Sequence, residues 1–159
     1  MYDSNEIIVI SVGGSLICPD RIDVDFLKGF KKLILAQIKK NKRFIIITGG
    51  GRTARNYQEA ARTVGELTSE DVDWLGIHGT RINAHLMRAI FYKHAHPDIV
   101  KDPTQKVSFN EKILVAGGWK PGFSTDYDAV MLAKQFGVKK IINLSNIDYV
   151  YDKNPSKFP

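Results

Sequence analysis

The apolar runs of this chain are short and nearly uninterrupted, and each stops at a glycine or another small residue. Ile7 to Val12, Phe44 to Thr48, Ile113 to Ala116 and Lys140 to Leu144 run into Gly13-Gly14-Ser15, Gly49-Gly50-Gly51, Gly117-Gly118 and Ser145-Asn146. A run that is apolar at successive positions suits a strand covered on both faces, as in a parallel sheet. Between the runs, apolar residues recur at helical spacing. Leu27, Phe30, Ile34 and Ile38 follow an N-cap at Asp23, and Ala54, Tyr57, Ala61 and Val64 line one face of the next helix. Leu75, Ile82, Leu86 and Ile90 stripe a long helix that starts near Thr68 to Asp71, with a loose capping signal at Ser69. Ala129, Leu132, Ala133 and Phe136 belong to a helix opened by Asp126 and closed by Gly137. Pro97 and Pro103 punctuate an irregular stretch with one short strand at Ile99-Val100. This alternation predicts a layered α/β sheet with right-handed crossovers.

Ligands of such sheets sit beyond the carboxyl ends of the strands, where this sequence concentrates its small residues. Glycines there let a backbone approach a ligand, and their amides can receive anionic oxygens. Several such corners together read as a phosphate-handling design. The charge balance agrees: 23 Lys and Arg against 17 Asp and Glu give +6, which favours anionic ligands. Much of the excess (Lys28, Lys31, Lys32, Lys39, Lys40, Lys42, Arg43) reads as a solvated helix face, and no aromatic RNA-binding motif accompanies it. A single cysteine, Cys18, excludes an internal disulfide, and the start of the chain lacks the pattern of a signal peptide; both point to the cytoplasm.

The phosphate chemistry is not that of a P-loop, because no G-x-x-x-x-G-K-[ST] occurs. Gly49 to Ala54 formally fits a dinucleotide fingerprint, but Glu70 and Asp71 lie before a helix instead of ending a strand. His78, His85, His94 and His96 have no metal-ligand spacing, and no metal site is expected from the protein.

Four segments carry a resemblance. They are the first glycine turn, Gly49-Gly50-Gly51-Arg52-Thr53-Ala54-Arg55, Gly117-Gly118-Trp119-Lys120-Pro121-Gly122-Phe123-Ser124-Thr125-Asp126, and Asn146-Ile147-Asp148-Tyr149-Val150-Tyr151. In this order they resemble the amino acid kinase family, and within it the UMP kinases of archaeal type. The resemblance spans Ile7 to Pro155. It implies a three-layer α/β/α sandwich with a mostly parallel sheet, transfer of the γ-phosphoryl group of ATP to UMP, Mg²⁺ bound with ATP, and a hexamer of this chain. It also implies that residues 1–159 form a single domain of this kind that lacks the family's C-terminal part.

Position by position, the resemblance places Gly14 and Ser15 along the ATP phosphates, and Gly51, Ser145, Asn146, Tyr151 and Asn154 elsewhere around ATP. It places Gly50 beside the UMP phosphate, Asp73 on the UMP ribose, and Trp119, Lys120, Pro121, Gly122, Phe123, Ser124 and Thr125 in the acceptor loop. Arg55 would hold phosphate, with Arg52 and Lys120 as further charge, and Asp126 would organise cationic groups around the transferred phosphoryl. Read from the residues alone, Arg55 is equally a surface arginine, Asp73 a helix-start carboxylate and Asp126 an N-cap. Three departures stand out: Ser11 and Asn146 occupy positions where many relatives carry lysine, and Asn154 one where aspartate is usual. A sister kinase for a carboxylate, carbamate or isopentenyl phosphate, and a non-catalytic nucleotide-binding oligomer, remain as alternatives.

Overall fold

A computed structural model gives the structure of residues 7–147. The strands are β1 (Ile7–Val12), β2 (Arg43–Thr48), β3 (Ala95–Val100), β4 (Ile113–Ala116) and β5 (Ile141–Leu144). The helices are α1 (Gly14–Ile17), α2 (Val24–Ile38), α3 (Gly51–Val64), α4 (Ser69–Ile90) and α5 (Thr125–Gln135). The strands form one sheet in the order β3-β4-β2-β1-β5, and every pairing is parallel. All the strand tips therefore point to one edge, which collects the small-residue corners that were scattered in sequence.

Period-two alternation divides the strand side chains between two cores. Ile10, Val12, Phe44, Ile46, Ile113 and Val115 pack with Ile17 of α1, Leu27, Phe30 and Ile34 of α2, and Ala84 and Met87 of α4. Ile7, Val9, Ile45, Ile47, Leu114 and Ala116 pack with Ala129, Leu132 and Ala133 of α5 and with Phe136. Helices thus cover both faces, giving three layers. Each fully buried Ile or Leu contributes roughly 1.5–3 kcal/mol relative to leaving it in water.

Asp23 caps α2 by accepting a bond from Phe26 N at 2.9 Å, and Gly137 follows α5 with φ 66°. Elsewhere the elements differ in detail from expectation. The turn after β1 coils into the single helical turn α1. β3 is longer than Ile99-Val100; it tolerates Pro97 because it is an edge strand whose register shifts between Ala95 and Ile99. Thr68, not Ser69, caps α4, in a capping box with Asp71. Ser124, not Asp126, caps α5, because its hydroxyl accepts from Tyr127 N while Asp126 is drawn towards β1.

The faces of α3 and α4 also differ. On α3 Ala54 is the buried residue, and Tyr57 and Val64 are exposed, because the helix packs mainly on α4, through Ala54 and Gln58. On α4 the buried stripe is Ile77, Thr80, Asn83, Ala84 and Met87, while Ile82 is 57% exposed. Its tight neighbours select small and polar residues there: a side chain on Gly79 would strike Ala54 of α3.

Candidate active site

A cleft of about 580 Å³ opens at the strand tips. Gly50, Gly51, Ala54, Arg55 and Gln58 form one wall at the start of α3, and Asp73, Gly76, Ile77 and Thr80 of α4 form its back. Gly118 and the loop from Lys120 to Thr125 close the other side. The two glycine turns meet backbone to backbone: a Cβ on Gly14 would collide with Gly50 and Gly51, and Gly51 has φ 56°, which favours glycine. The corner after β1 is therefore continuous with the corner after β2.

Buried polar side chains on α4 hold this geometry. Asn83 Nδ2 donates to the carbonyls of Gly49 (2.9 Å) and Gly50 (3.0 Å). Its Oδ1 accepts from Thr53. Thr80 Oγ1 accepts from Gly118 N at 2.6 Å and donates to Ile77 O, while Thr48 Oγ1 donates to Thr80 O. Arg81 Nε donates to Gly118 O at 3.1 Å, and its NH2 group donates to Trp119 O at 2.8 Å. From α5, Asp128 Oδ2 accepts from Trp119 N at 3.1 Å. Depriving a buried group of its partner costs ~1–3 kcal/mol, so these bonds fix both corners.

None of Thr80, Arg81, Asn83 or Asp128 was singled out from sequence. The available signal was a polar residue in the apolar register of a helix: Thr80, Asn83, Ala84 and Met87 follow i, i+3, i+4, i+7.

The cleft brings together Gly50, Gly51, Arg55, Asp73, Lys120, Pro121, Gly122, Phe123, Ser124 and Thr125. Asp73 Oδ2 accepts from Gly122 N at 3.1 Å and so ties the loop to α4. Arg55 is exposed and belongs to neither the Lys28–Asp25 nor the Arg52–Glu59 ion pair. Arg52, expected to add charge at the phosphates, instead pairs with Glu59 along α3 at 3.2 Å and does not line the cleft.

Trp119 is likewise not part of the lining. Its ring packs on Phe123 (4.8 Å), which packs on Tyr127 (4.9 Å), and the Lys120 ammonium lies 4.1 Å from the Trp119 ring centre. Gly14, Ser15, Ser145 and Asn146 sit at the adjoining tips of β1 and β5, where Gly13 N donates to Leu144 O at 2.8 Å. Asp126 stands beside them, outside the cleft lining; its Oδ1 accepts from Ser11 Oγ at 2.7 Å and Asn143 Nδ2 at 3.4 Å. Ser11, at a position where many relatives carry lysine, thus gives Asp126 a neutral donor, as does Asn143. Tyr151 and Asn154 lie outside the described residues.

Among the described residues no three His, Cys, Asp or Glu side chains converge on a metal position, and no helix is long and apolar enough to cross a membrane.

The family model of the amino acid kinase family matches residues 6–159. The chain belongs to the amino acid kinase family. Within this family it is 40% identical over 156 residues to the uridylate kinase of Thermoplasma volcanium, covering 97% of this chain and 67% of that protein. It is 37% identical to the uridylate kinase of Thermococcus onnurineus, covering 96% of this chain and 68% of that protein. The crystal structure of the uridylate kinase from Archaeoglobus fulgidus matches with a TM-score of 0.77 at 29% identity, over 93% of this chain and 66% of that one. The UMP kinase from Bacillus anthracis shares the fold, with a TM-score of 0.67 at 18% identity. This amino acid kinase chain spans about two thirds of the length of the curated relatives it matches.

Proposed function

We propose that the cleft carries UMP kinase chemistry, moving the γ-phosphoryl group of ATP to the phosphate of UMP to give UDP. One observation carries the reading: the Gly50-Gly51 corner, Arg55, Asp73 and the Lys120 to Thr125 loop line one cleft that abuts the corner after β1. That the closely similar relatives are uridylate kinases supports it.

UMP would lie between α4 and the loop, its ribose towards Asp73 and its phosphate towards Gly50 and Arg55. ATP would lie along Gly14, Ser15 and Gly51, with Ser145, Asn146, Tyr151 and Asn154 towards the base and ribose. Phosphoryl transfer leaves little covalent work to the protein, so alignment and charge neutralisation dominate. The acceptor oxygen is already anionic at neutral pH and needs no general base. Backbone amides of the glycine corners and the Arg55 fork offset charge on the equatorial oxygens. Lys120 adds a further positive charge at the mouth of the cleft. Asp126, held by Ser11 and Asn143, would orient groups around the transferred phosphoryl.

A Mg²⁺ bound with ATP would neutralise phosphate charge beside the Gly14, Ser15 and Gly51 corner. The same reading implies a cytoplasmic enzyme that assembles as a hexamer and a single domain over residues 1–159.

A coupled assay of ADP release with ATP and Mg²⁺ tests the proposal across UMP, CMP, AMP, N-acetylglutamate and carbamate. UMP is expected to turn over and the others to be much poorer acceptors. Preference for a carboxylate or carbamate would move the chain to a sister kinase activity. ATP binding without turnover of any acceptor would favour a nucleotide-binding role.

A further inference from the structure

The loop that closes the cleft leaves β4 through Gly117-Gly118-Trp119, and two charged side chains from opposite faces of the sheet converge on that root. Arg81 of α4 spans the carbonyls of Gly118 and Trp119 with one planar fork (3.1 and 2.8 Å). Asp128 of α5 takes the amide of Trp119 at 3.1 Å. Every polar atom of the Trp119 peptide unit is thus held by a side chain from a different helix. The bonding alternates in sign, with a cation on the carbonyls and a carboxyl on the amide.

Asp128 is an unusual choice for this position. It is 1% exposed, and its Oδ1 is buried without a hydrogen-bond partner among the described residues. Burial raises its pKa to about 6; the Trp119 amide and the Arg81 charge pull it back, and Asp102 pushes it further up. Burial likewise lowers the pKa of Arg81, and Asp128 opposes that. A neutral residue would satisfy the Trp119 amide without the desolvation cost of a carboxylate. The charge therefore has a use other than stability. Its field falls on the Arg81 fork that grips the next two carbonyls.

We propose that Arg81 and Asp128 are positioning residues that set the orientation of the Lys120 to Thr125 loop from its root, and through it the affinity for the phosphate acceptor. Neither side chain lines the cleft, so neither touches the acceptor. The loop's far end has light anchors of its own, the Gly122 amide on Asp73 and the Ser124 cap on Tyr127, and Phe123 packs directly on the Trp119 ring. A change in the direction of the Trp119 peptide would accordingly travel to Pro121 and Phe123. This deepens the UMP reading of the same cleft and rests on it for the identity of the acceptor.

Two variants test the pair at pH 7.5. Arg81→Lys keeps the charge but loses the fork, and Asp128→Asn keeps an acceptor for Trp119 N but loses the charge. Asn is close in shape to Asp and removes a buried charge, so the second variant is expected to fold at least as firmly as the parent. Hydrogen exchange of the amides from Gly118 to Phe123, read without substrate, should speed up by about tenfold in each, with β1 and β2 unchanged. Calorimetry should show UMP binding weakened by roughly fivefold to tenfold and ATP binding unchanged. Unchanged loop exchange would overturn the proposal, and so would equal losses for ATP and UMP, which would mean a merely structural role. If the parent chain itself fails to bind UMP while loop exchange still rises in the variants, the grip on the loop stands and the UMP reading fails.

Discussion

On the α4 side of the cleft the backbone is tied down by Thr80, Arg81 and Asn83, all buried or half-buried, and by Asp128 from the opposite layer. At the tips of β1 and β5 the arrangement is looser. There the Gly13 to Leu144 bond joins backbone to backbone, Asn146 is exposed, and β5 shows Ile142 to solvent at 46%. The first region, proposed to take UMP, is preorganised by side chains of which Arg81, Asn83 and Asp128 lie outside the cleft lining. The second, proposed to take ATP, relies mostly on backbone and on close contact between glycines, with the bonds of Asp126 to Ser11 and Asn143 as its side-chain tie. The two halves should therefore fail in different ways: side-chain changes should tune the first, and backbone changes should weigh most heavily on the second.

The largest effect should come from Gly14→Ala, because the new methyl group meets the backbone of Gly50 and Gly51 and forces the two corners apart. Turnover should fall ~100-fold or more, with ATP binding lost as well; near-normal ATP affinity would show that the corners do not form one floor. Next is the pH dependence of stability. Asp128 has its pKa raised to about 6 from 3.8, so the folded state holds a proton that the unfolded chain releases between those values. Its contribution is favourable below pH 4, declines as pH rises to about 6, and leaves on the order of 3 kcal/mol lost above that. Asp128→Asn should lack this decline, so denaturant titrations at pH 4.5 and 7.5 should show the variant's advantage growing towards the higher pH. Parallel curves would mean that Asp128 is solvated. The smallest effect expected is for Arg55→Ala: about a tenfold loss of turnover, ~1.4 kcal/mol, with the fold intact. Unchanged kinetics would remove Arg55 from the phosphate site.

Much of this was legible in the sequence, for identifiable reasons. β1, β2 and β4 were apparent because strands covered on both faces are apolar at almost every position; β1 and β4 match Ile7–Val12 and Ile113–Ala116 residue for residue. The Lys120 to Thr125 loop and the glycine corners were legible because their residue types are demanded by backbone geometry. The faces of α3 and α4 were not. α4 meets close neighbours, so its buried side carries Gly79, Thr80, Asn83 and Ala84 while Ile82 is turned outward. Of the expected stripe on α4, Leu86 and Ile90 do pack against the core. A search for large apolar residues also takes in Ile82, however, and passes over the small and polar residues that are buried where space is limiting. Asp128 was hidden for a related reason: three residues after Thr125 it reads as a helix-start carboxylate, and only its packing beneath Trp119 marks it as buried. The direction of Trp119, which turns to Phe123 and away from the cleft, likewise depends on packing that local pattern does not encode.

The division of the cleft into two nucleotide halves is tested most directly by backbone amide NMR during separate titrations. Addition of UMP should shift Gly50, Gly118 and the residues from Lys120 to Thr125, leaving Gly13, Ser15 and Ser145 nearly in place. ATP with Mg²⁺ should move Gly13 to Ser15, Gly51 and Ser145 instead. Shifts from UMP that centre on β1 and β5, or on residues remote from the strand tips, would contradict the assignment.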